Sequence, residues 1–387
     1  MSDIPTIGVG ELASPCPLDE ALNSWRGFAQ AGPATQSKPG APWLELADAP
    51  DAVWRWASAI PARPINPIGC YFLRDLEVSG SGYLFADGRF VREFVHTSDV
   101  ALQWLGRPDF PDNPLTRPRA NRVVIEDKTL LVFGPGSSIF GHWLLDFMPR
   151  IVIAQYLLGP ALDDFVLLLP DDAPDWVTEL VHTFCGWDKA RIRRYSRMDD
   201  LVVCRRACLP SFAHDGDYAL HPLVREFYGR FGNPGAARAK RPICLSRRNQ
   251  ERHTFSAWRI FEARETLERM AVAHGFVIAR PEELGFPEQV ELFRSANCIL
   301  GEHGSGMHAA VFADPGTIVA TIGTPNAIQL RVDAAFDHRT ICLRRLQVIE
   351  QVPNRPYRFT VREDDLAGLV RLAADMQSRV AVPAARV

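Results

Sequence analysis

Short apolar runs alternate with segments of helical periodicity through most of this chain. The apolar runs that predict buried strands lie at residues 130–133, 165–169, near 201–204, and at 242–245, 276–279, 298–301, 317–322 and 340–344. The periodic segments that predict helices lie at about 140–158, 174–185, 256–274, 287–297, 305–313, 326–336 and 364–380. Strands that alternate with helices indicate mostly parallel sheets with helices on both faces. We therefore predict an α/β protein with two Rossmann-like domains and a cleft between them.

The N-terminal third and the middle of the chain depart from this alternation. Residues 1–65 are rich in Pro, Ala and Gly, and we expect an extended N-terminal arm with one short helix. Residues 69–95 show strand patterns around a hairpin turn at Ala86-Asp87-Gly88, which predicts a small antiparallel layer. Asn233-Pro234-Gly235 has the composition of a linker. The predicted domains are therefore an arm over 1–65 and Rossmann-like domains over 66–235 and 236–387.

Composition narrows the class of protein. The 387 residues are 47% apolar and 23% charged, which is ordinary globular usage, and the net charge of −3 argues against binding nucleic acid by broad charge neutralisation. None of the eight cysteines forms a Cys-x-x-Cys pair, which is typical of free thiols in a reducing compartment. The first residues lack a signal-peptide pattern, and no apolar run reaches roughly 18 residues. We expect a cytoplasmic protein, either soluble or held peripherally at the inner face of the membrane by a partner.

Residues 298–312 combine an apolar strand pattern, a turn with three glycines and a helical pattern. This order predicts a helix N-terminus at the carboxyl end of a parallel strand, where free N–H groups favour an anion. The candidate binding residues of the turn are His303, Gly304, Ser305 and Gly306. The turn matches neither the dinucleotide fingerprint nor a P-loop, and a plain strand-to-helix turn is the alternative.

A pair of arginines follows the first predicted strand of the second domain. Ser246, Arg247 and Arg248 would lie at the carboxyl edge of the same sheet as the glycine turn. Guanidinium groups match the geometry of phosphate oxygens. We therefore interpret these residues as an anion site, with a solvated basic loop as the alternative.

His142 and Asp146 are four residues apart and would share one face of a helix near its start. Such a pair can act as a general base with an orienting partner, and the pattern does not decide which residue is the base. A local polar contact that fixes the helix is the alternative. Pro149 predicts a kink or a short first helix.

Asp215-Gly216-Asp217 is an Asp-x-Asp sequence of the kind that can hold a divalent metal on a nucleotide diphosphate. Its surroundings favour a polar turn instead. No other residue spacing predicts a metal site, so we expect none, and we expect no resident cofactor.

Four segments, in this order and spacing, resemble glycosyltransferase family 61. They read FGHWLLDFMPR at 140–150, LSRR at 245–248, ELGFPEQVELF at 283–293 and GEHGSGM at 301–307. The family includes capsular-polysaccharide-type and β-1,2-xylosyltransferase-like enzymes. The resemblance implies a GT-B fold, an inverting mechanism without a metal, and a nucleotide-sugar donor bound by the second domain. It leaves 66–235 as the acceptor-side domain.

Our hypothesis from the sequence is an inverting transferase that moves a sugar from a nucleotide-sugar donor to a hydroxyl of a glycan or lipid-linked glycan, in bacterial surface polysaccharide synthesis. One alternative is a metal-dependent GT-A-like transferase that uses Asp215 and Asp217. Another is a catalytically silent nucleotide-sugar-binding protein, because Ala309 and Thr321 differ from the residues usual in family 61. A dehydrogenase is a third, which the missing pyrophosphate fingerprint argues against.

Overall fold

The computed structural model describes residues 4–46, 54–57, 60–93, 96–107, 109, 113–116, 119–231, 239–249, 259–324, 326–351 and 357–380. The chain divides into two compact units. Unit 1 comprises Met1–Ser37 and Arg63–Phe227, and unit 2 comprises Lys38–Ala62 and Tyr228–Val387. The chain therefore enters unit 2 twice, which a single boundary near residue 235 does not anticipate. The predicted linker at Asn233-Pro234-Gly235 lies outside the described residues.

The strands of the described residues are numbered in chain order. They are β1 (Thr6–Gly8), β2 (Gly27–Gly32), β3 (Thr35–Gln36), β4 (Trp43–Leu46), β5 (Trp54–Ala57), β6 (Pro64–Ile65), β7 (Ile68–Ser79), β8 (Tyr83–Ala86), β9 (Arg89–Arg92), β10 (Asn121–Leu130), β11 (Phe165–Pro170), β12 (Ile192–Tyr195), β13 (Asp200–Pro210), β14 (Arg241–Leu245), β15 (Arg259–Phe261), β16 (Val277–Ala279), β17 (Ala296–Glu302), β18 (Ile318–Ile322), β19 (Arg339–Leu343), β20 (Gln347–Glu350) and β21 (Tyr357–Thr360).

The α-helices are numbered in the same way. They are α1 (Val9–Leu12), α2 (Leu18–Ser24), α3 (His96–Leu105), α4 (Phe140–His142), α5 (Met148–Leu158), α6 (Asp175–Cys185), α7 (Pro222–Gly229), α8 (Arg264–Ala273), α9 (Phe286–Arg294), α10 (Ala327–Phe336) and α11 (Glu363–Val380). A π-helical segment, Trp143–Phe147, joins α4 to α5. Among the residues that the structure describes, 3₁₀-helical segments are Gly159–Asp164, Lys189–Arg191, Pro281–Glu283 and Ser305–Phe312.

Unit 1 is built on a mixed sheet with the strand order β1-β9-β8-β7-β13-β10-β11-β12 and with β2 beside β7. Strands β13, β10, β11 and β12 run parallel, as the alternation predicts. Strand β7 then pairs with β13 in the antiparallel sense and continues into the β8–β9 hairpin. The predicted antiparallel layer is therefore part of the main sheet, and a purely Rossmann-like description of this unit is wrong.

The hairpin turn itself is confirmed. Asp87 and Gly88 both have positive φ, 50° and 72°, which is the backbone of a type I′ turn. The strand predicted at 130–133 is placed too late, because β10 runs from Asn121 to Leu130.

The segment predicted as one helix over about 140–158 is helical throughout, but its winding changes. The wider π turn lies just before Pro149, which occupies the first turn of α5. Proline lacks an N–H group and its ring presses on the carbonyl four residues earlier, so a wider turn relieves that clash. The helix is buried along most of its length.

Unit 2 is built on the sheet β16-β14-β17-β18-β19-β4-β5. Every neighbouring pair from β16 to β4 is parallel, and β5 closes the edge in the antiparallel sense. Counted from β14 in chain order, the first five strands have the order 2-1-3-4-5 of a doubly wound sheet. In the core of this unit, sheet residues such as Leu300 and Ala320 pack with Leu267 of α8 and Leu369 of α11.

The expectation of a separate N-terminal arm over 1–65 is wrong. Strands β1 and β2 pair with the unit 1 sheet, and the β4–β5 hairpin extends the unit 2 sheet beyond β19. Trp43 supplies the apolar contact for the hairpin, because it is buried against Leu330 and Cys342. Its indole N–H donates to Glu45, which also pairs with Arg344 at 3.0 Å.

Most of the predicted elements of unit 2 are confirmed, with two differences. The helix predicted over 256–274 begins only at Arg264, because Arg259–Phe261 forms β15 in a small sheet with β21. Residues 256–258 of the predicted helix lie outside the described residues. The helix predicted at 305–313 is the 3₁₀ segment Ser305–Phe312.

Candidate functional site

Unit 1 holds a polar cluster centred on Asp146, whose side chain is fully buried. Nδ1 of His142 donates to Oδ2 of Asp146, so the predicted pair is in contact. Nε2 of His214 lies 2.6 Å from Oδ1, and the hydroxyl of Tyr218 donates to Oδ2 at 3.2 Å. One buried carboxylate thus accepts hydrogen bonds from three side chains.

The charge of this cluster follows from its contacts. Burial raises the pKa of Asp146, but the hydrogen bonds and charges of His142 and His214 outweigh that effect and hold the pKa well below its usual value. Burial lowers the pKa of His142, and the hydrogen bond and charge of Asp146 more than offset it, so the net shift is upward. Asp146 is therefore ionised, and its side chain has no access to solvent.

His142 is the member of the pair that reaches the surface, with 24% of its side chain exposed. Its Nδ1 is committed to Asp146, so the neutral ring keeps the lone pair on Nε2. Gly136 packs flat against the ring: a β-carbon there would lie 2.8 Å from Cδ2 and 3.1 Å from Nε2. With φ of +93°, Gly136 also adopts a backbone that favours glycine.

The π turn carries Asp146 and keeps the contact between His142 and Asp146 four residues later. π-Helical turns are frequent at functional sites. Trp143, at the start of the turn, donates its indole N–H to the carbonyl of Ser137 at 2.7 Å and ties the turn to the Gly134–Ser138 loop.

His214 and Tyr218 were missed as site residues, although both stand in the segment that contains Asp215 and Asp217. The two rings stack with centroids 4.5 Å apart. Asp215 accepts hydrogen bonds from the backbone N–H groups of Asp217 and Ala219, at 2.9 and 2.7 Å. The favoured interpretation of this segment as a polar turn is therefore confirmed, and the turn is what presents His214 and Tyr218 to Asp146.

Arg63 pairs with both Asp215 and Asp217, so a cation already lies against the two carboxylates. Among the residues that the structure describes, no group of three or more His, Cys, Asp or Glu side chains is arranged to hold a metal ion.

Unit 2 holds a second candidate site, where β14 and β17 are neighbours. The chain order of the sheet reverses between these strands, and doubly wound sheets bind their ligands beyond the carboxyl ends of the strands at such a switch point. Arg247 follows the end of β14, and Gly304 follows the end of β17. The sequence predicted both elements, and the register Leu245–Gly301 brings them side by side.

Two guanidinium groups lie against the glycine turn. A β-carbon on Gly304 would lie 3.1 Å from Nη1 of Arg247 and 3.3 Å from Nη2 of Arg259. Burial, followed by the positive charge of Arg247, lowers the pKa of Arg259, which shows that the two cations share one environment. Arg259 was missed because its segment was assigned to a helix; strand β15 places it.

Arg248 and Ser246 do not lie toward this turn. Arg248 pairs with Glu265 and Glu268 on α8, at 3.2 and 3.5 Å, and is 42% exposed. The hydroxyl of Ser246 donates to Glu268 at 2.6 Å. Of the arginine pair, only Arg247 points to the glycine turn, because adjacent side chains leaving a strand project in different directions.

His303 lies beside the arginines. Burial and the positive charges of Arg259, His308 and Arg247 lower the pKa of His303 to about 3, so its ring is neutral at physiological pH. Its Nε2 is 3.0 Å from Nδ2 of Asn326. Glu302, the last residue of β17 before the turn, is held by Arg264, which donates to it at 2.8 Å, and both side chains are buried.

Residues 140–320 match the model of a family described as Glycosyltransferase 61. Over this segment the chain is similar to that family. The matched segment begins two residues before His142 and includes the Asp146 cluster, Arg247, Arg259 and the glycine turn, but stops short of Asn326. No curated protein matches the chain. Within its described part, no helix has both the length and the apolar character needed to cross a bilayer.

Proposed function

We propose that this protein is an inverting glycosyltransferase that moves a sugar from a nucleoside-diphosphate sugar to a hydroxyl of a glycan or lipid-linked glycan. The family match supports glycosyl transfer, and the resemblance to capsular-polysaccharide-type transferases supports a role in bacterial surface polysaccharide synthesis. In this proposal the protein works in the cytoplasm or peripherally at the membrane, without a resident cofactor or metal.

The single observation that carries the proposal is the position of Arg247, Arg259 and Gly304 at the switch point of the unit 2 sheet. Two half-buried cations beside a glycine that leaves room for a close approach suit a diphosphate. When the bond from the anomeric carbon to the diphosphate oxygen breaks, the leaving group gains negative charge. Preorganised guanidinium groups stabilise that charge in the transition state without a metal.

His142 is the proposed general base. As the acceptor oxygen attacks the anomeric carbon, its proton passes to the lone pair on Nε2 of His142. Asp146 holds the ring in the required tautomer and stabilises the imidazolium that forms, while Tyr218 and His214 hold Asp146. This division of roles follows from burial, because Asp146 is fully buried and His142 is not.

The donor site is tested by thermal shift of the full chain with UDP, GDP, CMP and TDP and their sugars, each with and without EDTA. A ligand that binds the folded state raises Tm with concentration. Arg247→Ala should weaken binding of the stabilising nucleotide by about tenfold or more, because a hydrogen bond to a charged group contributes about 1.5–3 kcal/mol.

Arg248→Ala is the matched control, since Arg248 neighbours Arg247 in sequence but pairs with α8. It should bind the same nucleotide as tightly as the wild type. Equal losses in the two variants, or no loss in Arg247→Ala, would show that the switch point is not the donor site.

A further inference from the structure

Asn326 connects the start of α10 to His303. It is the N-cap of the helix, and its Oδ1 accepts from the backbone N–H groups of Ile328 and Gln329, at 2.8 and 3.2 Å. Its Nδ2 lies 3.0 Å from Nε2 of His303. The oxygen and the nitrogen of the Asn326 amide thus contact different partners.

The helix cap determines the orientation of the Asn326 amide. Only the oxygen can accept from two backbone N–H groups, so the nitrogen must face His303. The amide nitrogen is only a donor, and therefore Nε2 of His303 must be the acceptor. A neutral imidazole with an accepting Nε2 carries its proton on Nδ1.

The surroundings of His303 disfavour a second proton. Arg247 follows β14, Arg259 lies on β15, and His308 lies on the 3₁₀ segment after the glycine turn; the charges of all three lower the pKa of His303, after burial itself. A ring that cannot become an imidazolium at physiological pH contributes a directed N–H group and no charge.

We propose that Asn326 is a positioning residue that holds His303 as its neutral Nδ1–H tautomer, so that His303 offers a nucleoside diphosphate a neutral hydrogen-bond donor near Arg247 and Arg259. The ligand in this statement rests on the proposed function, whereas the tautomer does not. The assignment also gives Asn326 and the start of α10 a role in the site, although both lie beyond the segment that matches the family.

The tautomer is tested without any substrate, by ¹⁵N-detected NMR of the histidine rings of the full chain. His303 is assigned from the signal that disappears in His303→Gln. In the wild type, Nδ1 should carry the proton and Nε2 should not, from pH 5 to 8. A protonated Nε2 in the wild type would overturn the proposal.

Asn326→Asp removes the side-chain N–H group that donates to His303 and keeps the helix cap. A carboxylate still accepts from the N–H groups of Ile328 and Gln329, but its second oxygen can only accept. Nε2 of His303 should therefore become protonated in this variant. An unchanged Nδ1–H tautomer in a folded Asn326→Asp would show that Asn326 does not set the tautomer.

The donor role is tested by comparing two replacements of His303 by the Kd for UDP. The amide nitrogen of Asn occupies the place of Nδ1, whereas the amide of Gln occupies the place of Nε2 and keeps a contact with Asn326. His303→Gln should bind UDP about tenfold more weakly than His303→Asn. Equal affinities, or tighter binding by His303→Gln, would overturn the donor role.

The outcomes also separate this proposal from the function on which it rests. If the wild type shows the Nδ1–H tautomer but binds none of the nucleotides tested, the donor assignment of the unit 2 site is wrong, and the diphosphate half of this proposal fails with it. The role of Asn326 would then stand on the NMR result alone.

Discussion

Gly136→Ala is the sharpest test of the Asp146 cluster. The added β-carbon would lie 2.8 Å from Cδ2 of His142, whereas ordinary contacts begin at 3.4 Å, so the ring or the loop must move by the difference, 0.6 Å. The φ of +93° adds a backbone cost of about 1–2 kcal/mol for an L-residue with a side chain. The His142 ring should move more easily than the loop, because the ring is partly exposed while Gly136 belongs to a tight turn.

A displacement of the His142 ring should change the pKa of His142 in a definite direction. Asp146 raises the pKa of His142 and burial lowers it, so a looser contact with Asp146 should bring the pKa down. An NMR pH titration of His142, assigned by the signal lost in His142→Gln, measures this directly. We expect a lower pKa and, in a glycosyl-transfer assay, a loss of up to about 10²-fold, as for other sub-ångström to 1 Å misplacements of reacting groups.

Two glycines serve as controls for this variant. Gly88 has φ of +72° and open space where a β-carbon would be added, so Gly88→Ala shares the backbone strain without the contact. Gly134 lies in the same loop as Gly136 and has neither strain nor contact. If Gly136→Ala leaves the pKa of His142 and the transfer rate at the values of these controls, the inferred packing of His142 is wrong.

Three further predictions follow from the contacts. Because the pKa of His142 is raised above 6.5, the transfer rate should rise with pH through a pKa above 6.5, and a flat pH–rate profile would contradict this. The stability that the His142–Asp146 pair contributes should be complete below pH 6.5 and be lost as the pH rises through the same raised pKa. Asp217→Ala and EDTA should each leave transfer unchanged, since Asp217 pairs with Arg63; loss of activity in both would favour a metal-dependent enzyme. Asp333→Ala should destabilise unit 2 by about 2–6 kcal/mol in denaturant unfolding, because the buried donors of Gln329 and Thr340 lose their acceptor and each unsatisfied donor costs about 1–3 kcal/mol. Asp314→Ala breaks an exposed pair with Lys240 and should cost at most about 1 kcal/mol. Similar losses in the two variants would contradict the burial argument.

Local patterns in the sequence were sufficient to predict most of the strands in the main sheet of unit 2. The strands β14, β17, β18 and β19 are short apolar runs that are buried within the parallel sheet, and they therefore stand out in the sequence. The edge strand β16 was also predicted from its apolar run, although it is partly exposed. The contact between His142 and Asp146 was likewise predictable, because helical spacing alone puts residues four apart on one face. The GT-B arrangement and the catalytic and binding roles of these residues stay predictions.

The remaining site residues depend on tertiary pairing that no local pattern encodes. His214 reaches Asp146 across 68 residues of sequence. Arg259 is placed by the pairing of β15 with β21, and Asn326 is recognisable from the sequence only as a helix cap. In each case the residue type was compatible with a local structural role, so only the fold could assign it to a site.

The β4–β5 hairpin has a consequence for synthesis of the chain. Its partner β19 begins at Arg339, 282 residues after β5 ends at Ala57 (339 − 57). At a ribosomal rate of about 5–20 residues per second, the nascent hairpin waits about 14–56 s for the edge it completes. During that time a strand containing Trp43 is a candidate for chaperone binding. Conversely, a C-terminal fragment that begins after residue 228 would be released with the edge of β19 uncovered, and it should aggregate unless residues 38–62 are supplied with it.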